Sequence, residues 1–166
     1  MLVWLPVVYT CHSMFLVEHP QHLGLPLSAA ITLLGIASIV INYWADYQRQ
    51  SFREKQGNCL IWGKKPRQIV AKYTTGDGRE KTSLLLASGW WGLSRHFHYV
   101  PELVAAWCWS VPALSSAILP YFYFVFLNIL LFHRAVRDDI RCSVKYGKYW
   151  EEYRRLVPTY IIPYVF

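Results

Sequence analysis

Charge is what this chain has least of. Only 16% of its 166 residues are Asp, Glu, Lys or Arg, against about 25% in an ordinary soluble domain. No Lys or Arg stands before Arg49. The four cysteines, Cys11, Cys59, Cys108 and Cys142, form no CxxC pair, so neither a zinc site nor a disulfide framework is indicated. The start has no charged n-region and no small-residue cleavage site, so no removable signal peptide is expected. Lys81-Thr82 lacks the spaced glycines of a nucleotide P-loop. The histidines and Glu102 show no HExxH or comparable frame, so no metal is expected.

What is present is apolar and aromatic: 54% hydrophobic residues, with eight tryptophans and twelve tyrosines. The net charge of +7 does not point to nucleic acid, because the basic residues are confined to stretches between apolar segments. That is the pattern of the positive-inside rule. The chain is expected to live in the lipid bilayer as an all-α, polytopic membrane helix bundle with about four transmembrane helices.

Residues 1–47 read as two spans. Leu2 to Val17 is uncharged, and so are the 22 residues from Leu23 to Trp44, enough to cross a hydrocarbon core of about 30 Å. EHPQHLGLP between them has no Lys or Arg and reads as a luminal turn, with Met1 and Tyr47 on the cytoplasmic side. Residues 48–98 form a basic cytoplasmic loop leading to the entrance of the next helix. In it, KYTT and REKTS around Gly76-Asp77-Gly78 predict a small hairpin. Residues 99–138 read as a membrane hairpin turning near Leu114-Ser115-Ser116 and Pro120, with a kink at Pro112. Residues 139–166 read as a cytoplasmic tail.

The charges return abruptly in HRAVRDDIRCSVKYGKYWEEY, after an uncharged run from Leu103 to Phe132. Only twelve apolar residues follow Pro120, so Arg134, Arg137 and Asp138 fall at or below the membrane surface. Charge costs about 2.5–3.5 kcal/mol per group at the centre of a membrane helix and less near the interface, and a cluster is better placed against a wet, protein-lined cavity. Arg134 and Asp138 are one turn apart, with Cys142 and Lys145 on the same face. Asp138 can hold the Arg134 guanidinium while leaving donors for phosphate, which arginine binds bidentately. The alternative is an ordinary surface pair. Arg49 and Arg53 repeat the spacing and can reach the same anion or act as positive-inside anchors. In SGWWGLSRHFHYVPE, Arg95, His96, His98 and Glu102 open a helix just after Trp90 and Trp91.

These stretches resemble the C-terminal half of the sterol reductase family, membrane enzymes that reduce carbon–carbon double bonds of sterols. The charged run matches the pattern HRxxRDxxxCxxKYGxxWxxY, with His133, Arg134, Arg137, Asp138, Cys142, Lys145, Tyr146, Gly147, Trp150 and Tyr153 in place. LLASGWWGLSRHFHYVPE and DYQRQSFRE resemble two further segments, and the likeness extends over nearly the whole chain. Within the family it is nearest to the members that act on the Δ7 bond of 7-dehydrocholesterol-like sterols. The Δ14-reducing branch carries RHPNY where this chain has RHFHY.

The resemblance implies NADPH as hydride donor, a sterol substrate, a role in sterol biosynthesis and a multi-pass location in the endoplasmic reticulum membrane. Carried over by position, Arg49, Arg53, Arg134 and Asp138 fall where the family contacts NADPH. Trp90, Arg95, His98 and Tyr146 are further candidates, although many members have Asn at the position of His98. An isolated double bond needs a protein acid to protonate one carbon, for which Tyr146, His98 and Glu102 are the polar candidates. Family members have about ten spans, so the implied partners are a missing N-terminal half or other sterol-biosynthesis enzymes. Two other readings remain: a non-catalytic or truncated membrane fragment of a reductase, and an isoprenylcysteine methyltransferase-like enzyme using S-adenosylmethionine.

Overall fold

The computed structural model describes residue 10 and residues 13–114 and 118–163. After a short helix over residues 13–18, the elements are α1 (Leu25–Glu54), β1 (Gln68–Thr74), β2 (Glu80–Leu86), α2 (Trp90–Leu93), α3 (Tyr99–Ser110), α4 (Phe122–Tyr146) and α5 (Lys148–Leu156). Two helical stretches are long and apolar enough to cross a membrane, Leu25–Glu54 and Leu119–Tyr146. The fold is mostly helical, with one antiparallel hairpin, so it departs from the all-α expectation by that small sheet.

Two of the four expected spans are therefore in view. The first falls largely on residues outside the described ones. The leg expected from Tyr99 to Leu119 is shorter as a helix: α3 ends at Ser110 and a 3-10 turn, Val111–Ala113, follows. Pro112 is the physical reason, since it has no N–H to donate and its ring crowds the preceding turn. Pro120 lies in a second 3-10 turn, Leu119–Tyr121, that leads straight into α4. The turn expected at Ser115-Ser116 lies outside the described residues. α4 runs unbroken from Phe122 through the charged stretch to Tyr146, so apolar and charged residues share one helix.

The chain forms two compact units, Met1–Ile41 with Pro101–Phe132, and Asn42–Val100 with His133–Phe166. In the first, a Cβ on Gly35 would lie 3.5 Å from that of Cys108, so the small residue lets two helices approach closely. An apolar groove of about 310 Å³ runs along them, lined by Ile31, Ile36, Ile39 and Trp109 among others.

The second unit is built on the hairpin. Its register pairs Gln68 with Leu86 and Thr74 with Glu80. Along β1, Ile69 and Ala71 are buried while Val70 and Lys72 are exposed, the alternation of a sheet with one covered face. Ile69 packs with Ala87, Trp150, Tyr153 and Val157, and Leu86 with Phe52, Ile61 and Trp91. Gly78 closes the hairpin loop at φ 76°, where its N–H donates to the Thr75 carbonyl at 2.8 Å.

Candidate functional site

The second unit holds a cavity of about 370 Å³, a size usual for small-molecule sites. Helices α1, α4 and α5, the hairpin and the segment 91–99 supply its walls. Arg49, Phe52 and Arg53 come from successive turns of α1, and Arg134, Asp138, Arg141 and Cys142 from one face of α4. This i, i+3/i+4, i+7 spacing is what a helix needs to aim several side chains one way. Leu84, Leu85 and Leu86 of β2 form an apolar wall, and Trp150 and Tyr153 of α5 close it. The segment 91–99 contributes Trp91, Arg95, His96, His98 and Tyr99.

Five arginines face this space and Asp138 is the one carboxylate in its lining. No ion pair within 4.0 Å joins Arg134 to Asp138; among the described residues the ion pairs converge on Asp139. Asp139 Oδ1 lies 3.6 Å from Arg95 Nη1 and accepts a hydrogen bond from Trp150 Nε1 at 3.1 Å, while Oδ2 lies 4.0 Å from Arg154. Arg95 also lies over the Tyr160 ring at 4.6 Å. Burial pulls its guanidinium below the ordinary value, and Asp139 opposes that shift. Arg49 lies 4.3 Å above the Trp91 ring, a cation–π contact that holds it. Trp91 is fixed in turn by its Nε1–H, which donates to the Ala45 carbonyl at 2.8 Å.

The two histidines are neutral near pH 7. Burial, with Arg95 and Arg49 adding to it, lowers His96 to about 4 despite the nearby Asp138. Burial, then His96, Arg49 and Arg134, lower His98 to about 3. His96 Nε2, His98 Nδ1 and Arg95 Nε are buried without a hydrogen-bond partner. Buried polar atoms are nearly always paired, so three such atoms beside one cavity mark a place for a ligand's polar groups. Tyr153, raised to about 12 chiefly by burial, keeps its proton and donates at 3.4 Å to the Trp91 carbonyl. Guanidinium groups for phosphates, aromatic faces for a flat ring and unpaired ring nitrogens for an amide together fit a phosphorylated nucleotide.

Of the residues singled out from sequence, Arg49, Arg53, Arg95, His98, Arg134, Asp138 and Tyr146 line this one cavity. Trp90 does not; its ring stacks on Phe97 at 4.7 Å, and its neighbour Trp91 faces the space instead. Glu102 belongs to the first unit and is not in the lining. Tyr146 has its hydroxyl 3.5 Å from Ser83 Oγ and its ring against Tyr73 at 5.5 Å. Sequence reading passed over Arg141, although it lies seven residues from Arg134 and so on the same helix face. His96 and Tyr153 were named there only as motif members with no role at the site; their inward orientation follows from tertiary packing.

7-Dehydrocholesterol reductase of Arabidopsis thaliana is 57% identical over 165 residues, 99% of this chain and 38% of that protein. The Xenopus laevis 7-dehydrocholesterol reductase is 41% identical over 164 residues, 99% of this chain and 35% of that one. Delta(14)-sterol reductase TM7SF2 of Mus musculus is 40% identical over 165 residues, 99% of this chain and 37% of its length. The chain thus spans less than two-fifths of each of these relatives. A profile of the ergosterol biosynthesis ERG4/ERG24 family matches residues 1–166, and the chain belongs to that family.

Proposed function

We propose that this chain carries the cofactor-binding part of an NADPH-dependent sterol reductase acting on the Δ7 double bond, in the endoplasmic reticulum membrane. The observation that carries the reading is the set of five arginines around one cavity, which suits the several negative charges of NADPH. The 57% identity to the Arabidopsis 7-dehydrocholesterol reductase supports the choice of bond. NADPH supplies hydride when bound. Arg49, Arg53, Arg134 and Arg141 hold its phosphates around Asp138, the one carboxylate of the lining. His98, neutral and unpaired, suits hydrogen bonding to a carboxamide better than giving up a proton. Tyr146 is the proton donor of this scheme: it lines the cavity, with its hydroxyl 3.5 Å from Ser83 Oγ and the Lys145 ammonium 5.0 Å from its ring. Leu84 to Leu86 and Trp150 keep water from the reacting groups.

The test is quenching of tryptophan fluorescence in the detergent-purified chain as NADPH is added, beside an Arg53→Ala, Arg134→Ala double variant. Micromolar quenching that the variant loses, and that S-adenosylmethionine does not produce, supports the reading. A folded, helical wild type that ignores NADPH at millimolar concentration overturns it.

A further inference from the structure

The turn Ile61–Lys64 is a tight two-residue loop in which Ile61 and Lys64 exchange both backbone hydrogen bonds, at 2.9 and 3.1 Å. Its central residues, Trp62 and Gly63, have φ of 50° and 75°, so both sit in the left-handed region. Asn, Asp and Gly favour such positions. A tryptophan there is strained by about 1–2 kcal/mol. Backbone strain of this kind persists where the surroundings impose it and clusters at functional segments.

Packing says where the turn is held. Trp62 meets the Trp90 ring edge-on at 5.2 Å, and Trp90 meets Trp44 of α1 at 5.9 Å. Trp44 stands two residues before Asp46, the first charge of α1, and closes a stretch of twenty residues counted from Leu25, a length of about 30 Å that matches the hydrocarbon thickness. The aromatic chain therefore pins the turn at the depth where a membrane meets water. Leu60 and Trp62 remain 73% and 52% exposed there, and Tyr43, Trp44 and Tyr47 of α1 are exposed as well. Lys64, Lys65 and Arg67 follow within five residues of Trp62, all exposed. None of these side chains lines the cavity.

We propose that this turn is a docking platform for anionic phospholipid headgroups, with Leu60 and Trp62 in the interfacial layer and Lys64, Lys65 and Arg67 on the lipid phosphates and carboxylates. Aromatics at interface depth with basic residues alongside are the two halves of such recognition. The proposal is independent of what fills the cavity.

The 166-residue chain, labelled with fluorotryptophan and placed in nanodiscs, tests it. A Trp62→Phe variant assigns the Trp62 fluorine resonance. In the wild type that resonance should broaden with nitroxide on the lipid headgroup and little with a water-soluble gadolinium chelate. Spin-labelled phosphatidylserine should also associate in preference to phosphatidylcholine. In a Lys64→Gln, Lys65→Gln, Arg67→Gln variant that preference should fall about two- to fivefold per residue replaced. Broadening by the soluble chelate alone, protection from both probes, or an unchanged lipid preference in the triple variant would each overturn the proposal.

Discussion

Replacing Asp139 should loosen the segment that carries Arg95, and the size of the effect can be worked from its contacts. The carboxylate serves two buried partners, Arg95 at 3.6 Å, whose side chain is 6% exposed, and Trp150 Nε1 at 3.1 Å. Removing one partner of a buried ion pair costs about 3–5 kcal/mol. The 3.6 Å separation and the Tyr160 ring under Arg95 argue for the low end. Asp139→Ala should therefore cost about 3 kcal/mol, a fall in melting temperature of about 6–12 °C for a chain of this size. Asp139→Asn keeps an acceptor for Trp150 and loses only the charge, so it should cost about 2 kcal/mol. Asp139→Ala combined with Arg95→Met removes both charges and should recover much of the loss. Melting followed by circular dichroism in mild detergent reads all three. Equal melting of Asn and Ala variants, or no recovery in the double variant, would refute the assignment of Asp139 as a charge hub.

Acid should destabilise the second unit through its histidines. The unfolded chain protonates His96 and His98 near pH 6.5 while the folded chain resists until about 4 and 3, so stability falls as pH drops from 6.5 toward those values. The slope is up to about 1.4 kcal/mol per pH unit per histidine, and His96→Gln with His98→Asn should flatten the melting profile across pH 4–6.5. Gly89→Ala should cost about 2 kcal/mol, because Gly89 has φ 63° and a Cβ there would lie 2.1 Å from Gln48 Oε1, the acceptor for the Trp90 N–H. Gly63→Ala, at φ 75° with nothing within 4 Å, should cost only the backbone strain of about 1 kcal/mol; thermal melts of the two compare them directly. Raising salt should weaken NADPH quenching, since exposed Arg53, Arg134 and Arg141 are screened, whereas a ligand held by apolar contact would bind independently of salt.

Periodicity and punctuation made much of the fold readable. The glycine pair at the hairpin tip and the prolines at 112 and 120 each mark a boundary that the structure keeps, whereas the helix of the uncharged run continues past Trp44 to Glu54. Residue spacing also put Arg134 and Asp138 on one face of a helix. It could not say which of two neighbours turns inward. Asp138 and Asp139 differ by about 100° around α4; only the packing of α5 and the segment around Arg95 makes Asp139 the carboxylate that carries the ion pairs. Trp90 and Trp91 pose the same problem on a four-residue helix, where no periodicity exists to read. The shortness of α3 is legible only once Pro112 is taken as a terminator and not a kink.

The hairpin has one further consequence, for engineering. Its β2 end forms the leucine wall of the cavity, while at its tip Gly76 and Gly78 have open space on every side that a Cβ could take. A small side chain placed at the tip would start with no heavy atom within 4 Å of its Cβ, yet would ride on a strand that forms the ligand's wall. That loop is the place to build a reporter of occupancy into the chain without touching a residue that binds.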